Sequence, residues 1–229
     1  MPTIVFISPK GGAGKTTSSL VLAEQVARAA DVTVIDADPN RPIENWTKGG
    51  AKPERLHVVA DADEENIIER IEEAAARTPF VIVDLEGTAS KIVLMAVSQA
   101  DLVIVPTQGS QLDAEQAGRA FRVIQQQEKM SRRRVPYSVL LTRTNSAIRT
   151  RTLSHIEKGL VAAGIPVFKT ELNEREAFRA MFSFRQPLAG LNPSEVANLD
   201  KAVANAEQFA QEVIQTLRDA QQPAAEVSA

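Results

Sequence analysis

Short apolar runs alternate along the chain with longer stretches in which apolar residues recur at helical spacing. This alternation is typical of βα units arranged around a parallel sheet. The runs VTVID, FVIVD and LVIVP are apolar at consecutive positions, as expected of strands that helices cover on both faces. The pattern predicts strands at residues 3–8, 32–36, 56–60, 80–84, 102–106, 136–142 and 166–170.

Helical spacing predicts helices at residues 16–30, 64–77, 90–99, 111–128, 150–163, 174–183 and 194–221. The last of these has a start signal, with Asn192 as N-cap, Pro193 at the first helical position and Glu195 as the capping-box acid. The expected fold class is therefore α/β, a mostly parallel twisted sheet of about seven strands with helices on both faces. We expect a single domain over residues 1–221 and a flexible C-terminal tail over residues 222–229.

The strongest chemical signal is the segment SPKGGAGKTT at residues 8–17, between the first predicted strand and the first predicted helix. Glycines let backbone N–H groups converge on phosphate oxygens, and the helix N-terminus adds partial positive charge. In such a loop Lys15 reaches the β- and γ-phosphates and Thr16 can bind Mg²⁺. Pro9 stands where the standard pattern has its first glycine. The predicted nucleotide contacts are Lys10, Gly11, Gly12, Ala13, Gly14, Lys15, Thr16 and Thr17.

Two predicted strands finish in aspartate, in the segments VIDADPN at residues 34–40 and FVIVD at residues 80–84. An aspartate after a strand is often only a turn former or a helix cap. Here both segments end at the carboxyl edge of the sheet, where open α/β sheets bind their ligands. Hydrolysis of a γ-phosphate needs Mg²⁺ and a group that positions water. Asp36, Asp38 and Asp84 are therefore candidates for this chemistry.

Composition excludes several classes of protein. The chain of 229 residues is 44% hydrophobic and contains no cysteine, which excludes a disulfide framework, a thiolate zinc site and a cysteine-bound iron–sulfur cluster. No apolar run is long enough to span a membrane, and the N-terminus lacks the pattern of a signal peptide. We therefore expect a cytoplasmic protein. Aromatic residues make up 4%, which disfavours base-stacking platforms for single strands.

Charge is unevenly distributed along the chain. The net charge is −3, yet residues 129–151 contain seven basic residues and no acidic one. Basic residues that neutralise phosphates give DNA binding that is independent of sequence and sensitive to salt. The alternative is a solvated helix end and loop. The candidate DNA contacts are Arg132, Arg133, Arg134, Arg149 and Arg151.

The segment KGGAGKTT at residues 10–17 resembles the deviant Walker A motif of the ParA/MinD superfamily of P-loop NTPases. The resemblance covers about residues 3–210 and extends to small plasmid-partition ParA proteins and to the ParA-like overdrive-binding virulence proteins of T-DNA transfer. It implies that Lys10 crosses an ATP-sandwiched homodimer to touch the partner's nucleotide. It also implies that Asp38 orients the attacking water, that Asp36 supports the metal shell and that Asp84 is the Walker B aspartate.

Two further implications of the resemblance concern the base and the partners. The loop after the sixth strand lies near the adenine in this superfamily, which would involve Thr142 and Arg143. The implied activity is slow, Mg²⁺-dependent ATP hydrolysis stimulated by a ParB-like or other centromere-binding protein. The ATP-bound dimer would bind DNA nonspecifically on the nucleoid and drive plasmid or chromosome partition. Because the first strand starts at residue 3, we expect the small type that lacks an N-terminal helix-turn-helix.

Two alternative functions remain open. A conjugation or T-DNA transfer accessory ATPase, which recruits a DNA-processing complex to the cell pole, would use the same motifs. A dethiobiotin-synthetase-like metabolic enzyme would share the fold, although the Lys10 signature and the segment from Asp36 to Asn40 disfavour it. Membrane association is not expected, because residues 221–229 supply neither basic residues nor an apolar helix face.

Overall fold

The computed structural model describes residues 1–9, 11–87 and 91–221, with the side chains of residues 111–114 and 116 excepted. These residues form a sheet of seven strands in the order β3-β2-β4-β1-β5-β6-β7. Every strand pairing is parallel. The strands are β1 (Thr3–Phe6), β2 (Val32–Ala37), β3 (Leu56–Val59), β4 (Phe80–Leu85), β5 (Leu102–Gln108), β6 (Tyr137–Thr144) and β7 (Leu172–Asn173). The predicted fold class is confirmed.

Helices cover both faces of the sheet. They are α1 (Lys15–Ala27), α2 (Pro42–Thr47), α3 (Ile67–Arg77), α4 (Lys91–Gln99), α5 (Gln111–Ser131), α6 (Arg151–Ala162), α7 (Glu176–Phe184) and α8 (Leu199–Gln221), with a 3₁₀ turn at Leu188–Gly190. The apolar residues of α1, α2, α7 and α8 form one core layer, and those of α3 to α6 form the other. Alternate residues of each strand pack into one core layer or the other, because successive side chains point to opposite faces of the sheet.

The seventh strand differs from its prediction at residues 166–170. Val167 forms only an isolated parallel bridge with Val139. Beyond it, the backbone N–H groups of Lys169 and Thr170 both donate to the carboxylate of Glu212 on α8, at 2.7 Å each. The ladder therefore stops at residue 168, since these two amides are taken by a helix, and β7 forms later at Leu172–Asn173.

The predicted start of the last helix is also wrong. Asn192 does accept a hydrogen bond from the backbone N–H of Ser194, at 3.0 Å, and its carbonyl accepts from Val196 at 3.0 Å. Asn198 then adopts a left-handed conformation with φ of 55°, and α8 begins only at Leu199. The capping signal thus produced a separate turn. The structure also contains the short helix α2, which the sequence pattern did not predict, and the predicted tail at residues 222–229 lies outside the described residues.

Candidate functional site

The predicted phosphate loop connects β1 to the start of α1. Gly14 caps α1 with φ of 97° and Gly12 has φ of 78°, a region of backbone space that glycine enters without strain. A Cβ added at Gly11 or Gly12 would meet no atom within 4 Å, so the backbone here borders open space. No acidic residue occupies the first turn of α1. The helix N-terminus is therefore open to an anion.

The signature lysine cannot be located in the same way, because Lys10 lies outside the described residues. Lys15 is the first residue of α1, with Thr16 and Thr17 next on the helix. These three side chains therefore start from the N-terminal turn, at the carboxyl edge of the sheet. That placement is the one the phosphate-loop prediction requires.

Two side chains from neighbouring strands donate hydrogen bonds to the backbone of the phosphate loop. The side-chain amide of Gln108, at the end of β5, donates to the carbonyl of Gly12 at 2.8 Å. The hydroxyl of Thr142, on β6, donates to the carbonyl of Ala13 at 2.8 Å. Thr142 was predicted only as an adenine contact, and Gln108 was not predicted at all. Its position at the carboxyl end of a strand was the signal that could have identified it.

Two buried aspartates stand side by side next to the loop. Asp36 and Asp84 are Cα partners in the pairing of β2 with β4, and each is only 1% exposed. Asp36 Oδ2 accepts hydrogen bonds from the backbone N–H groups of Ile43 (2.8 Å) and Glu44 (2.9 Å), at the start of α2. Among the described residues, Asp36 Oδ1 and both carboxylate oxygens of Asp84 have no partner in strict hydrogen-bonding geometry, although the Thr16 hydroxyl lies near enough to Asp84 to lower its pKa.

Burial raises the pKa of both carboxyl groups. It raises the pKa of Asp84 to about 7, while the hydroxyl of Thr16 and the charge of Lys15 act in the opposite sense. The pKa of Asp36 is also raised, first by burial and against the hydrogen bonds from α2. Buried carboxylates without partners are costly unless a cation neutralises them. The donor set thus fits Mg²⁺.

The protein supplies only part of a metal shell. Within the described ranges, no three His, Asp or Glu side chains gather into a metal-binding cluster. Mg²⁺ in nucleotide sites is commonly held by one or two carboxylates together with phosphate oxygens and water. Asp84, Asp36 and the hydroxyl of Thr16 fit such a small set of protein ligands.

Clefts open on both sides of the loop. One cleft of about 910 Å³ includes Pro9, Asp36, Asp38 and Glu86. Asp38 Oδ1 accepts from the backbone N–H of Asn40 at 2.8 Å and from its side-chain amide at 3.0 Å. These bonds fix the carboxylate of Asp38 at the rim of this cleft, on the same side as Asp36.

The second cleft, of about 400 Å³, lies beyond Gly14, Thr17 and Thr142 and also includes Arg143. The start of β7 and one side of α7 complete it, with the side chains of Leu172, Asn173, Glu174, Arg175, Phe178, Arg179 and Phe182. A volume of this size suits a small organic group. The structure thus brings the predicted adenine contacts Thr142 and Arg143 into one cleft that adjoins the loop.

The predicted DNA contacts fall at opposite ends of β6. Residues 132–134 precede the strand and residues 149–151 follow it, so about 26 Å of strand separates them. Only the second group lies at the edge that carries the phosphate loop. Arg133 is paired with Asp101 at 3.0 Å, and Arg149 is paired with both Glu157 and Glu171. The five arginines therefore lie in two groups at opposite edges of the sheet, and two of them already bind carboxylates.

A parallel sheet with a phosphate loop after β1 and a buried aspartate at the end of β4 defines the class of P-loop nucleoside triphosphatases. The model of the VirC1 protein family matches residues 1–219. Protein ParA from Rhizobium radiobacter is 36% identical over 221 residues, which cover 96% of this chain and 99% of the relative. Protein virC1 from Rhizobium rhizogenes is 28% identical and covers 79% of this chain and 80% of the relative. The chain belongs to the VirC1 protein family and is a relative of the protein named ParA.

Solved structures share the fold. The ATP complex of an aspartate-to-alanine variant of McdA from Cyanothece has a TM-score of 0.72 at 17% identity, covering 93% of this chain and 96% of that chain. MinD from Aquifex aeolicus, a cell division protein, has a TM-score of 0.72 at 18% identity, covering 94% and 98%. No helix in the part of the chain that the structure describes has the length and apolar character needed to cross a membrane.

Proposed function

We propose that this protein is a Mg²⁺-dependent ATPase whose ATP-bound homodimer binds DNA. The observation that carries the proposal is the pair of buried carboxylates, Asp36 and Asp84, whose unpartnered oxygens lie beside the N-terminus of α1. A buried site with this negative charge and an anion-binding helix end next to it is suited to a metal–phosphate complex.

Each end of the nucleotide has residues suited to it. The backbone of residues 11–14, with Lys15 and Thr17, would bind the phosphates, and the cleft at Thr142 and Arg143 would take the adenine. Thr16 and Asp84 would hold Mg²⁺, with Asp36 as support. Bound Mg²⁺ would spread the charge that develops on the γ-phosphate during hydrolysis.

Asp38 is the proposed water-positioning residue. Its carboxylate is half-buried, fixed by Asn40 and open to the larger cleft. A carboxylate so placed can accept a hydrogen bond from water and direct it toward a phosphate. Lys10 would complete the partner's site in a dimer, a role that rests on the motif at residues 10–17 alone.

The DNA contact is proposed on the outward faces of α5 and α6. Arg119, Arg122 and Lys129 are exposed on α5 at helical spacings of three and seven, and Arg151 and Lys158 are exposed on α6 at a spacing of seven. Residues at these spacings share one helix face, and the two helices pack against each other. We call these five residues the α5–α6 basic face. Arg132 and Arg134 extend it at the end of α5, whereas Arg133 and Arg149 have their charges paired.

The biological role we favour is plasmid or chromosome partition, on the strength of the 36% identity to a protein named ParA. A role as a transfer accessory ATPase is the second candidate, because the VirC1 family model matches almost the whole chain. A neighbouring gene for a small centromere-binding protein would favour partition. Neighbouring relaxase or virulence genes would favour transfer.

The proposal is tested by measuring ATP binding, ATP hydrolysis and DNA binding with ATP, with ADP and without nucleotide. We expect Lys15→Ala to abolish ATP binding, since it removes the cation that contacts the phosphates. Asp38→Ala should keep ATP binding but reduce hydrolysis by at least about tenfold, since the water loses its positioning group. That variant should also remain bound to DNA in ATP.

Lys201→Ala is the matched control, because Lys201 is exposed on α8 and lines neither of the two clefts beside the loop, so the variant should bind ATP as the wild type does. A wild-type protein that binds no ATP would overturn the proposed function. An Asp38→Ala protein that hydrolyses ATP at the wild-type rate would remove Asp38 from the mechanism.

A further inference from the structure

Gln108 and Thr142 contact consecutive carbonyls of the phosphate loop. Gln108 donates to Gly12 and Thr142 donates to Ala13, each at 2.8 Å. The two donors are Cα partners in the pairing of β5 with β6. Two adjacent strands of the sheet therefore bind two adjacent peptide groups of the loop.

We propose that Gln108 and Thr142 are positioning residues that aim the N–H groups of Ala13 and Gly14 at the phosphates. The peptide bond is planar and trans, so its C=O and the N–H of the next residue point in opposite directions. A donor that fixes the carbonyl of Gly12 therefore also fixes the N–H of Ala13. In the same way, a donor on the carbonyl of Ala13 fixes the N–H of Gly14.

The direction of these bonds matters for an anion site. Both carbonyls point toward β5 and β6, so both N–H groups point away from these strands. Without the donors, carbonyl oxygens would be free to turn toward the site, where they would repel phosphate oxygens. Residues with open space around them, such as Gly11 and Gly12, have little else among the described residues to restrain their peptide planes.

Packing at Gly14 supports the same role for Thr142. A Cβ at Gly14 would lie 3.4 Å from the methyl carbon of Thr142, and Gly14 has φ of 97°. Thr142 is 3% exposed, so its side chain has little freedom to move aside. Glycine at position 14 therefore lets the loop backbone lie close to the buried side chain of Thr142, whose hydroxyl binds the carbonyl of Ala13.

The inference rests on the proposed function in one respect, since it assumes that the loop binds phosphates. The contacts themselves can be tested in the nucleotide-free protein. Thr142→Val keeps the shape of the side chain and removes the donor, whereas Thr142→Ser keeps the donor. Thr107→Val is a matched control, because Thr107 is buried on β5 and donates to Val105 within its own strand.

Two measurements test the inference. The first is the backbone order parameters of residues 11–15 from NMR relaxation in the nucleotide-free protein. The second is the affinity for a fluorescent ATP analogue, with KM and kcat determined separately. We expect Thr142→Val to lower the order parameters of the loop and to weaken nucleotide binding about threefold to tenfold, the effect of one hydrogen bond. Thr142→Ser should recover most of both losses, and Thr107→Val should change neither.

Gln108→Met tests the second donor, since methionine has a similar length and no N–H group. It should affect the loop as Thr142→Val does, and the effects of the double variant should differ from the sum of the single effects, because the two donors hold adjacent peptides. Wild-type order parameters and affinity in Thr142→Val, or equal damage from Thr142→Ser, would overturn the inference. Lowered order parameters of the loop in Thr142→Val, together with a wild-type protein that binds no ATP, would overturn the proposed function and leave the positioning contacts standing.

Discussion

Glu24 is a buried carboxyl group outside the proposed site. It lies on α1, is 4% exposed, and its Oε2 accepts a hydrogen bond from the backbone N–H of Leu188 at 2.9 Å. Its Oε1 has no partner among the described residues. Burial raises its pKa to about 8, against the hydrogen bond from Leu188. The folded protein therefore holds a proton on Glu24 that the unfolded chain releases at neutral pH.

The stability of the protein should therefore fall as the pH rises. At Glu24, the folded form holds a proton that the unfolded form lacks between the unfolded pKa of about 4.3 and the folded pKa of about 8, so the free energy of unfolding decreases across that range and then levels off. Glu24→Gln carries no charge at any pH and should remove the part of this dependence that Glu24 contributes, whereas Asp36 and Asp84, whose pKa values are also raised, keep their parts. At pH 9 we expect it to be more stable than the wild type by roughly 4–5 kcal/mol, at 1.36 kcal/mol per pKa unit.

Urea unfolding at pH 6 and pH 9 measures this effect. Glu72→Gln, at an exposed position of α3, is the control and should follow the wild type at both values. If Glu24→Gln keeps the wild-type pH dependence, another group carries it.

At the level of elements, α2 is held against α7 by a close approach of two loops. The indole N–H of Trp46 donates to the carbonyl of Met181 at 3.0 Å. Three residues later, a Cβ on Gly49 would lie 2.2 Å from the carbonyl oxygen of Arg185. Because the start of α2 supplies the two N–H groups that bind Asp36, this contact also supports the proposed metal site.

Gly49→Ala should therefore destabilise the protein, since the methyl group would overlap backbone that has to move. We expect a loss of about 1–3 kcal/mol, measured by urea unfolding. Gly118→Ala is the control, because a Cβ there meets nothing within 4 Å and alanine favours the helix α5 by about 1 kcal/mol. Equal stability of Gly49→Ala and the wild type would show that the two loops do not touch in solution.

The predicted elements differ from the structure where tertiary contacts outweigh local preference. The apolar run at residues 166–170 has the composition of a strand, but Glu212, more than forty residues away, binds its amides. The capping signal at Asn192 formed its local bonds, yet the left-handed Asn198 separated that turn from α8. In both places the local pattern predicted contacts that form, but the length of the element was set by something else. In the first case this was a distant residue, and in the second it was one backbone conformation.

Across the whole molecule, acidic and basic residues are interspersed, and the basic residues proposed to bind DNA lie on α5 and α6. Glu69, Glu72 and Glu73 lie on α3, while the α5–α6 basic face lies further along the same side of the sheet. A protein with a net charge of −3 can therefore bind a polyanion, provided that the interaction is local.

This distribution makes a prediction for DNA binding. Arg122→Gln with Lys129→Gln should weaken ATP-dependent DNA binding, and the slope of log K against log salt should become shallower by about 0.9 for each phosphate that the variant no longer neutralises. Fluorescence anisotropy of a labelled duplex over a salt series measures both quantities. Arg77→Gln, at the exposed end of α3, is the control and should bind as the wild type does. An unchanged slope in the double variant would place the DNA-binding surface elsewhere.

By itself, the sequence determined the βα order, the phosphate loop and the aspartates at two strand ends. These features depend on neighbouring residues, because periodicity, glycine content and strand-end carboxylates are all local. Tertiary structure alone decided that Gln108 and Thr142 meet the loop, that Arg149 is paired, and that the basic residues divide between the two ends of β6. These outcomes depend on which distant segments the sheet brings together, and local sequence patterns do not indicate which segments will be in contact.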